Sequence, residues 1–218
     1  MTINIIKTLL LIIDVQNDFC PGGALAVKGG DEVILPINQM ARSFAEKGGR
    51  IAASQDWHPA GHISFASSHN RKIGDIIDTT IVKNQILWPD HCVQGTMGAE
   101  FHADLNRTFK KSIIRKGACK VLDSYSAFFE NDRLTPTGLD EWIRSKYIDT
   151  VILCGLATDY CVFYSAMDSI NLGLKTIIAD DAVRAVDYPP NSLENALKTM
   201  KDAGVIFMSS AKILDELI

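Results

Sequence analysis

The sequence lacks the features that mark membrane proteins, secreted disulfide-stabilised domains and nucleic-acid-binding proteins. No apolar run is long enough to cross a bilayer, and the first residues show no basic segment followed by a cleavage site. Five cysteines, an odd number, argue against a disulfide framework. The formal net charge of −4 gives no reason to expect nucleic acid or an anionic membrane as a partner. These properties together predict a protein of the reducing cytoplasm.

The sequence also shows no internal repeat, linker or low-complexity segment, and no G-x-G-x-x-G turn follows its first strand. We therefore expect one domain over residues 1–218, a length that allows a full hydrophobic core. Apolar runs predict strands at 8–14, 50–55, 112–116, 151–154, 175–179 and 204–208, and helical spacing predicts helices at 32–47, 139–146, 159–172, 193–203 and 210–217. Their alternation predicts an α/β fold, a three-layer α/β/α arrangement with a central, mostly parallel sheet of about six strands.

The segment 151–162 reads as a buried strand, a tight turn and the start of a helix. Cys161 then lies in a first helical turn, where unpaired backbone N–H groups and the helix dipole favour an anion. A thiolate would be stabilised there, and neighbouring N–H groups could bind an oxyanion. A free cysteine is more often a small buried hydrophobic residue, so this segment alone leaves both interpretations open.

Two charged residues are predicted at the ends of other strands. Asp14 ends the first strand, and Lys116 ends the strand that begins near Ser112. Open α/β sheets form their sites at the carboxyl ends of strands, so Asp14, Lys116 and Cys161 are expected to lie close together. Lys116 could be a simple surface charge, but beside Asp14 it would favour the ionised carboxylate and a nearby thiolate.

Histidines concentrate in a stretch of little periodicity between residues 57 and 111. Asp56 and His58 lie two residues apart and therefore on one side of an extended segment, and His91 follows in the same region. One carboxylate with imidazoles suits a divalent transition ion such as zinc, iron or manganese. The spacing alone is a weak signal, because such pairs are common without a metal.

Three segments in order along the chain, DVQNDF at 14–19, IIRKGA at 113–118 and GLATDYC at 155–161, carry a family resemblance. They resemble the nicotinamidase/pyrazinamidase family of the isochorismatase-like cysteine hydrolases, over about residues 9–181. The resemblance implies a catalytic triad of Asp14, Lys116 and Cys161 that hydrolyses an amide through a thioester. It also implies an oxyanion hole from the N–H groups of Ala157 and Cys161, and a cis Leu156–Ala157 peptide bond.

The resemblance further implies one divalent metal ion, with zinc as the first candidate and iron or manganese as alternatives. Its ligands would be Asp56, His58 and His91. A further ligand could come from His62, with Ser64 as an alternative, whereas His69 and His102 match no ligand position and are expected to be solvated loop residues. The implied pocket walls are Phe19, Trp88, Tyr125 and Leu156.

The implied partner is a small-molecule substrate, nicotinamide or the near-isosteric pyrazinamide, with nicotinic acid feeding NAD salvage. The chain could be a monomer or a homo-oligomer. Three alternatives remain at this point: a related isochorismatase or N-carbamoyl amidohydrolase, a non-catalytic homologue, and a hydrolase whose metal-bound water is the nucleophile. The first generally lacks the Asp-x-His…His set, the second would be expected to have replaced Asp14, Lys116 or Cys161, and the third would make Cys161 structural.

Overall fold

The structure, a computed structural model, describes residues 2–107 and 112–218. Its strands are β1 (Thr8–Ile13), β2 (Arg50–Asp56), β3 (Ile76–Ile77), β4 (Gln85–Ile86), β5 (Ile113–Lys116), β6 (Thr150–Leu156), β7 (Lys175–Arg184) and β8 (Ile206–Met208). Its α-helices are α1 (Ile34–Glu46), α2 (Leu139–Ser145), α3 (Phe163–Asn171), α4 (Ser192–Asp202) and α5 (Ser210–Glu216).

Six of the strands form one parallel sheet in the order β5-β2-β1-β6-β7-β8. β1 lies in the middle, pairing Leu10 with Ile51 of β2 and with Ile152 of β6. Every residue of β1 is buried, as its continuous apolar run predicts for a strand covered on both faces. The predicted fold class, a parallel six-stranded sheet between helices, is confirmed.

Successive side chains of β1 point to opposite faces of the sheet and so separate the core into two clusters. Leu10 and Ile12 pack on the face that α1 and α5 cover. Leu9, Leu11 and Ile13 pack on the other face, together with apolar residues of α2, α3 and α4. The three layers therefore form because the strands are apolar on both faces and each helix covers the sheet with its one apolar face.

The largest differences from the predicted elements concern β7 and the helix that contains α3, and the stretch 57–111 adds two small elements. β7 continues to Arg184 instead of ending at residue 179, because it pairs again with β6 after a register shift, Val183 opposite Gly155. The helix expected at 159–172 begins as a π-helical turn, Thr158–Val162, before α3. The aperiodic stretch 57–111 contains only a 3-10 turn and the small β3–β4 hairpin among its described residues, and its residues 108–111 lie outside them.

The carboxyl ends of four neighbouring strands, β5, β2, β1 and β6, meet at one edge of the sheet. Loops from the 57–107 stretch and from residues 117–137 lie over the same edge, since His58 bonds to Gly117 and Trp88 to Tyr125. Among the described helices, none has both the length and the apolar character that crossing a membrane requires.

Candidate active site

The residues predicted for catalysis come from adjacent strand ends. Lys116 ends β5, Asp56 ends β2 directly opposite it, Asp14 follows β1, and the turn with Cys161 follows β6. Asp14 has a φ of 45°, a left-handed conformation that is uncommon outside glycine and recurs at functional sites. Gly155 permits the close approach of β1 and β6, because a Cβ there would lie 2.0 Å from the Ile13 carbonyl oxygen.

The ammonium of Lys116 is the centre of the site and is fully buried. Its Nζ lies 2.9 Å from Oδ2 of Asp14, donates to Oδ1 of Asp56, and lies 3.4 Å from Sγ of Cys161. It also donates to the carbonyl oxygen of Ser124 at 3.1 Å. The structure thus brings Asp14, Lys116 and Cys161 together and adds Asp56 as a second carboxylate on the same ammonium.

Burial and charge act in opposite directions on these groups. Burial disfavours the charged form of Lys116, but the carboxylates of Asp14 and Asp56 raise the pKa of Lys116 well above its ordinary value. Burial raises the pKa of Asp14, and although Lys116 lowers it, the charge of Asp56 also raises it. Ser54 donates to Oδ1 of Asp14 at 2.7 Å and holds the carboxylate in place. Asp14 is therefore a stronger base than an exposed aspartate.

The expectation that the Cys161 thiolate is favoured is wrong for the arrangement that the structure shows. Burial raises the pKa of Cys161 well above its ordinary value. Lys116 lowers it, but the nearby carboxylates of Asp14 and Asp56 raise it again. Because one ammonium is shared between two carboxylates, its charge only partly offsets the cost of a buried thiolate. The thiol at rest keeps its proton, and Asp14 is placed to accept it.

The predicted metal ligands form a second group beside the first. Oδ2 of Asp56 lies 3.6 Å from Nε2 of His58 and 3.9 Å from Nε2 of His91. Nδ1 of His58 donates to the Gly117 carbonyl at 2.9 Å, and Nδ1 of His91 donates to the Pro89 carbonyl at 2.8 Å. These carbonyls leave both Nε2 atoms facing Asp56, the arrangement usual for metal-binding histidines. Although His58 is buried, the charge of Asp56 raises its pKa, and a bound cation would take the place of the proton on its Nε2.

The donor set of this group fits a divalent transition ion. One carboxylate oxygen and two imidazole nitrogens are ligands that zinc accepts at about 2.0–2.2 Å, and their separations are close to what one ion bridges. Burial lowers the pKa of His91 to about 4, with the charge of His58 acting in the same direction. His91 is therefore neutral, as a metal ligand must be.

The two further candidate ligands are not brought into this group. The ring of His62 stacks on that of His58 with 4.2 Å between centroids, but its Nδ1 bonds to the hydroxyl of Ser64 and its Nε2 to the Leu122 carbonyl. The hydrogen-bonding groups of His62 and Ser64 are thus used between these two side chains and at the Leu122 carbonyl. His69 ends the 3-10 turn Ala66–His69 and bonds to the Ile63 carbonyl, and His102 lies in a loop. Both are half-buried, so the expectation that they are solvated loop residues is wrong in that respect.

Gly117 joins the two groups, because it follows Lys116 and its carbonyl holds His58. Its φ is +61°, and a Cβ there would lie 2.4 Å from Cε1 and 2.6 Å from Nδ1 of His58. Only glycine allows this chain direction and this contact at once. The position of His58 therefore depends on the absence of a side chain at Gly117.

Beside these groups lies a cavity with about 430 Å³ of empty space, its open mouth included. Phe19, Trp88 and Tyr125 line it as predicted. Leu156 does not: it is fully buried in the core on the α1 side of the sheet, so its prediction as a wall is wrong. Trp88 donates from Nε1 to the Tyr125 hydroxyl at 3.0 Å, which fixes two flat walls relative to each other.

Several residues that help to form the site were not predicted from the sequence. Tyr160 and Val186 line the cavity, as do Leu25, Asp123 and Ser124. Gln16 holds the main chain of Asp56, donating to its carbonyl and accepting from its N–H, both at 2.8 Å. Tyr160 and Gln16 lie inside the recognised motifs, so their positions were available as a signal, whereas Val186 follows no pattern that points to a site.

The Leu156–Ala157 peptide bond is cis, as the resemblance implied. The N–H groups of Ala157 and Cys161 belong to the turn that leads from β6 into the π-helical turn, and both residues line the cavity. The sulfur and the two residues predicted to supply the oxyanion donors thus border one cavity at the carboxyl end of β6.

Comparison with known proteins agrees with this geometry. A family model described as the isochorismatase domain matches residues 8–212. The chain is 46% identical over 207 residues to the nicotinamidase of Acinetobacter baylyi, covering 94% of each chain. A solved nicotinamidase/pyrazinamidase of Acinetobacter baumanii is 44% identical with a TM-score of 0.89, covering 94% of this chain and 97% of that one.

A pyrazinamidase of Pyrococcus horikoshii, solved in complex with zinc, is 36% identical with a TM-score of 0.76 and covers 93% of this chain and 99% of that one. The similarity spans the whole sheet and includes the strand ends at which the site lies. The chain belongs to the isochorismatase family, among its nicotinamidase/pyrazinamidase members.

Proposed function

We propose that the protein hydrolyses nicotinamide to nicotinic acid and ammonia, and pyrazinamide to pyrazinoic acid, with Cys161 as nucleophile. The observation that supports this most directly is the position of Lys116 Nζ, which contacts Asp14, Asp56 and Cys161 beside a flat-walled cavity. The relatives of the same family named above are nicotinamidases and pyrazinamidases. We further propose a role in NAD salvage, and place the protein in the cytoplasm, as its composition leads us to expect.

The acid–base step uses the raised pKa of Asp14, which makes its carboxylate a stronger base towards the buried thiol. Asp14 accepts the proton of the Cys161 thiol as sulfur attacks the carboxamide carbon, and Lys116 stabilises the negative charge that develops on the sulfur. The tetrahedral intermediate expels the amine with that proton, which gives ammonia, a thioester and an ionised Asp14. Water then attacks the thioester carbon, Asp14 accepts its proton and returns it to the sulfur, and the acid leaves.

The oxyanion of each tetrahedral intermediate needs hydrogen-bond donors in the cavity. We assign these to the N–H groups of Ala157 and Cys161, at the end of β6. A well-placed donor of this kind contributes about 3–4 kcal/mol to the stability of a transition state. Since both belong to the turn that carries the sulfur, the oxyanion and the nucleophile would keep a fixed relation.

Asp56, His58 and His91 are the residues that would hold a divalent ion, with zinc as the proposed metal because the related pyrazinamidase of Pyrococcus horikoshii was solved in complex with zinc. When bound, such an ion supplies a Lewis acid that can orient the ring nitrogen of the substrate. The chain's own residues complete the orientation, as Phe19, Trp88 and Tyr125 present flat surfaces to an aromatic ring.

The test is ammonia release from nicotinamide by purified, zinc-loaded protein, before and after treatment with a chelator. We expect release that falls on chelation and returns when zinc is added. A folded, zinc-loaded protein that releases no ammonia from nicotinamide or pyrazinamide would refute the proposal. Release from an N-carbamoyl amide in the same assay would then identify the related amidohydrolase activity.

A further inference from the structure

One wall of the cavity comes from a segment outside the three recognised motifs. Residues 185–191, here called the wall segment, connect β7 to α4. Val186 of this segment lines the cavity. Tyr188 stands edge-on to the cavity residue Trp88, with 6.3 Å between ring centroids. The wall segment therefore sets one side of the space in which a ring can lie.

Residues 157–162, which carry the sulfur of Cys161, are here called the nucleophile turn. Asp159 of this turn, two residues before Cys161, forms hydrogen bonds to the wall segment. Oδ1 of Asp159 accepts the N–H of Val186 at 3.0 Å, and Oδ2 accepts the N–H of Asp187 at 2.8 Å. Oδ2 also accepts the hydroxyl of Ser192, the first residue of α4. Asp159 is only 5% exposed, so these hydrogen bonds to a charged acceptor are shielded from water.

The next residue of the turn makes a parallel connection. The hydroxyl of Tyr160 donates to the carbonyl oxygen of Tyr188, and its ring lines the cavity. Two consecutive residues of the nucleophile turn thus hold both ends of the cavity-facing part of the wall segment. The acid–base chemistry of Asp14, Lys116 and Cys161 requires neither connection, so another role explains them.

We propose that Asp159 is a positioning residue that sets the distance between the ring-contacting wall and the nucleophilic sulfur. This inference rests on the proposed hydrolysis of an aromatic carboxamide. Because one turn holds both the sulfur and the wall, a ring that fits against Val186 has its carboxamide delivered to Cys161. The hydrogen bonds of Asp159 to the wall segment and to Ser192 are here called the clamp. Loosening the clamp lets the wall segment move away from the ring, which weakens substrate binding, while the contacts among Asp14, Lys116 and Cys161 stay as they are.

The test compares two serines in equivalent positions. Ser192→Ala removes the hydroxyl that donates to Asp159, and Ser210→Ala removes a hydroxyl that donates to Asp181 at 2.6 Å. Ser192 and Ser210 each open a helix, α4 and α5, and Ser210 does not line the cavity. We expect Ser192→Ala to raise KM for nicotinamide about 5–10-fold with kcat within about twofold, as partial loss of one charge-assisted hydrogen bond allows. Ser192→Thr, which keeps the hydroxyl, restores the KM.

Ser210→Ala is expected to leave both constants within about twofold, although it loses a similar hydrogen bond. The inference is overturned if Ser192→Ala keeps the wild-type KM, or if Ser210→Ala raises KM equally. Amide hydrogen exchange at Val186 and Asp187 provides a readout that needs no activity, and we expect it to be faster in Ser192→Ala. If the wild type is inactive but exchange is faster in Ser192→Ala, the proposed function alone is refuted. If exchange at Val186 and Asp187 is the same in Ser192→Ala as in the wild type, the positioning role of Asp159 is refuted.

Discussion

Replacing Gly117 with alanine tests whether the chain direction after Lys116 positions a metal ligand. A side chain at a φ of +61° costs roughly 1–2 kcal/mol. The new Cβ would also lie 2.4 Å from Cε1 of His58, and relieving such an overlap costs about 1–3 kcal/mol. We therefore expect Gly117→Ala to lower the free energy of unfolding by about 2–5 kcal/mol.

The displaced His58 ring would lose its hydrogen bond to the Gly117 carbonyl, and losing such a partner weakens metal affinity about 10–100-fold. The assays are urea denaturation and calorimetric titration of metal-free protein with zinc. Gly48→Ala is the matched control, since Gly48 has a φ of +73° and no atom within 4 Å of an added Cβ. Equal zinc affinity in Gly117→Ala and Gly48→Ala would refute the reasoning.

Two further predictions concern the buried charges. Lys116→Met leaves the carboxylates of Asp14 and Asp56 without their cation, so we expect a loss of about 3–5 kcal/mol in the free energy of unfolding at neutral pH. In the folded variant, burial without the ammonium raises the pKa values of both carboxylates. The stability of the variant therefore falls as pH rises through these values, so urea denaturation should show a smaller loss at pH ~5. In the wild type, Asp14 must be ionised and burial raises its pKa, so kcat/KM should fall with acid at a higher pH than an exposed aspartate would give. A pH–rate profile in zinc-loaded protein measures this limb, and a limb at the pKa of an ordinary aspartate would contradict the assignment.

Much of the architecture was predictable because the sheet is buried on both faces. The apolar run before Asp14 and the alternation of strands with one-sided helices predict the layers and the edge at which the site lies. That edge brought Asp14, Lys116 and Cys161 together. The stretch 57–107 has no periodicity, so only the family resemblance indicated that His91 would reach Asp56.

The protonation state of the Cys161 thiol could not be predicted from the sequence, and the reason is electrostatic. The sequence shows one lysine and one cysteine at strand ends, but not that Lys116 would be shared between two carboxylates. The error at Leu156 has a simpler cause: it lies in a motif next to cavity residues, yet it is the last residue of β6 and its side chain belongs to the core. Proximity in sequence does not show which face of a strand a residue occupies.

In the proposed reaction Cys161, and not a metal-bound water, attacks the amide. The most direct measurement is the rate of ammonia release from nicotinamide by Cys161→Ala, zinc-loaded and compared with the wild type. We predict a decrease of about 10³-fold or more, because removing the nucleophile of a catalytic triad removes nearly all of its rate enhancement. A variant that binds zinc normally and keeps more than about a tenth of the wild-type rate would contradict the account and assign the nucleophile to the metal site.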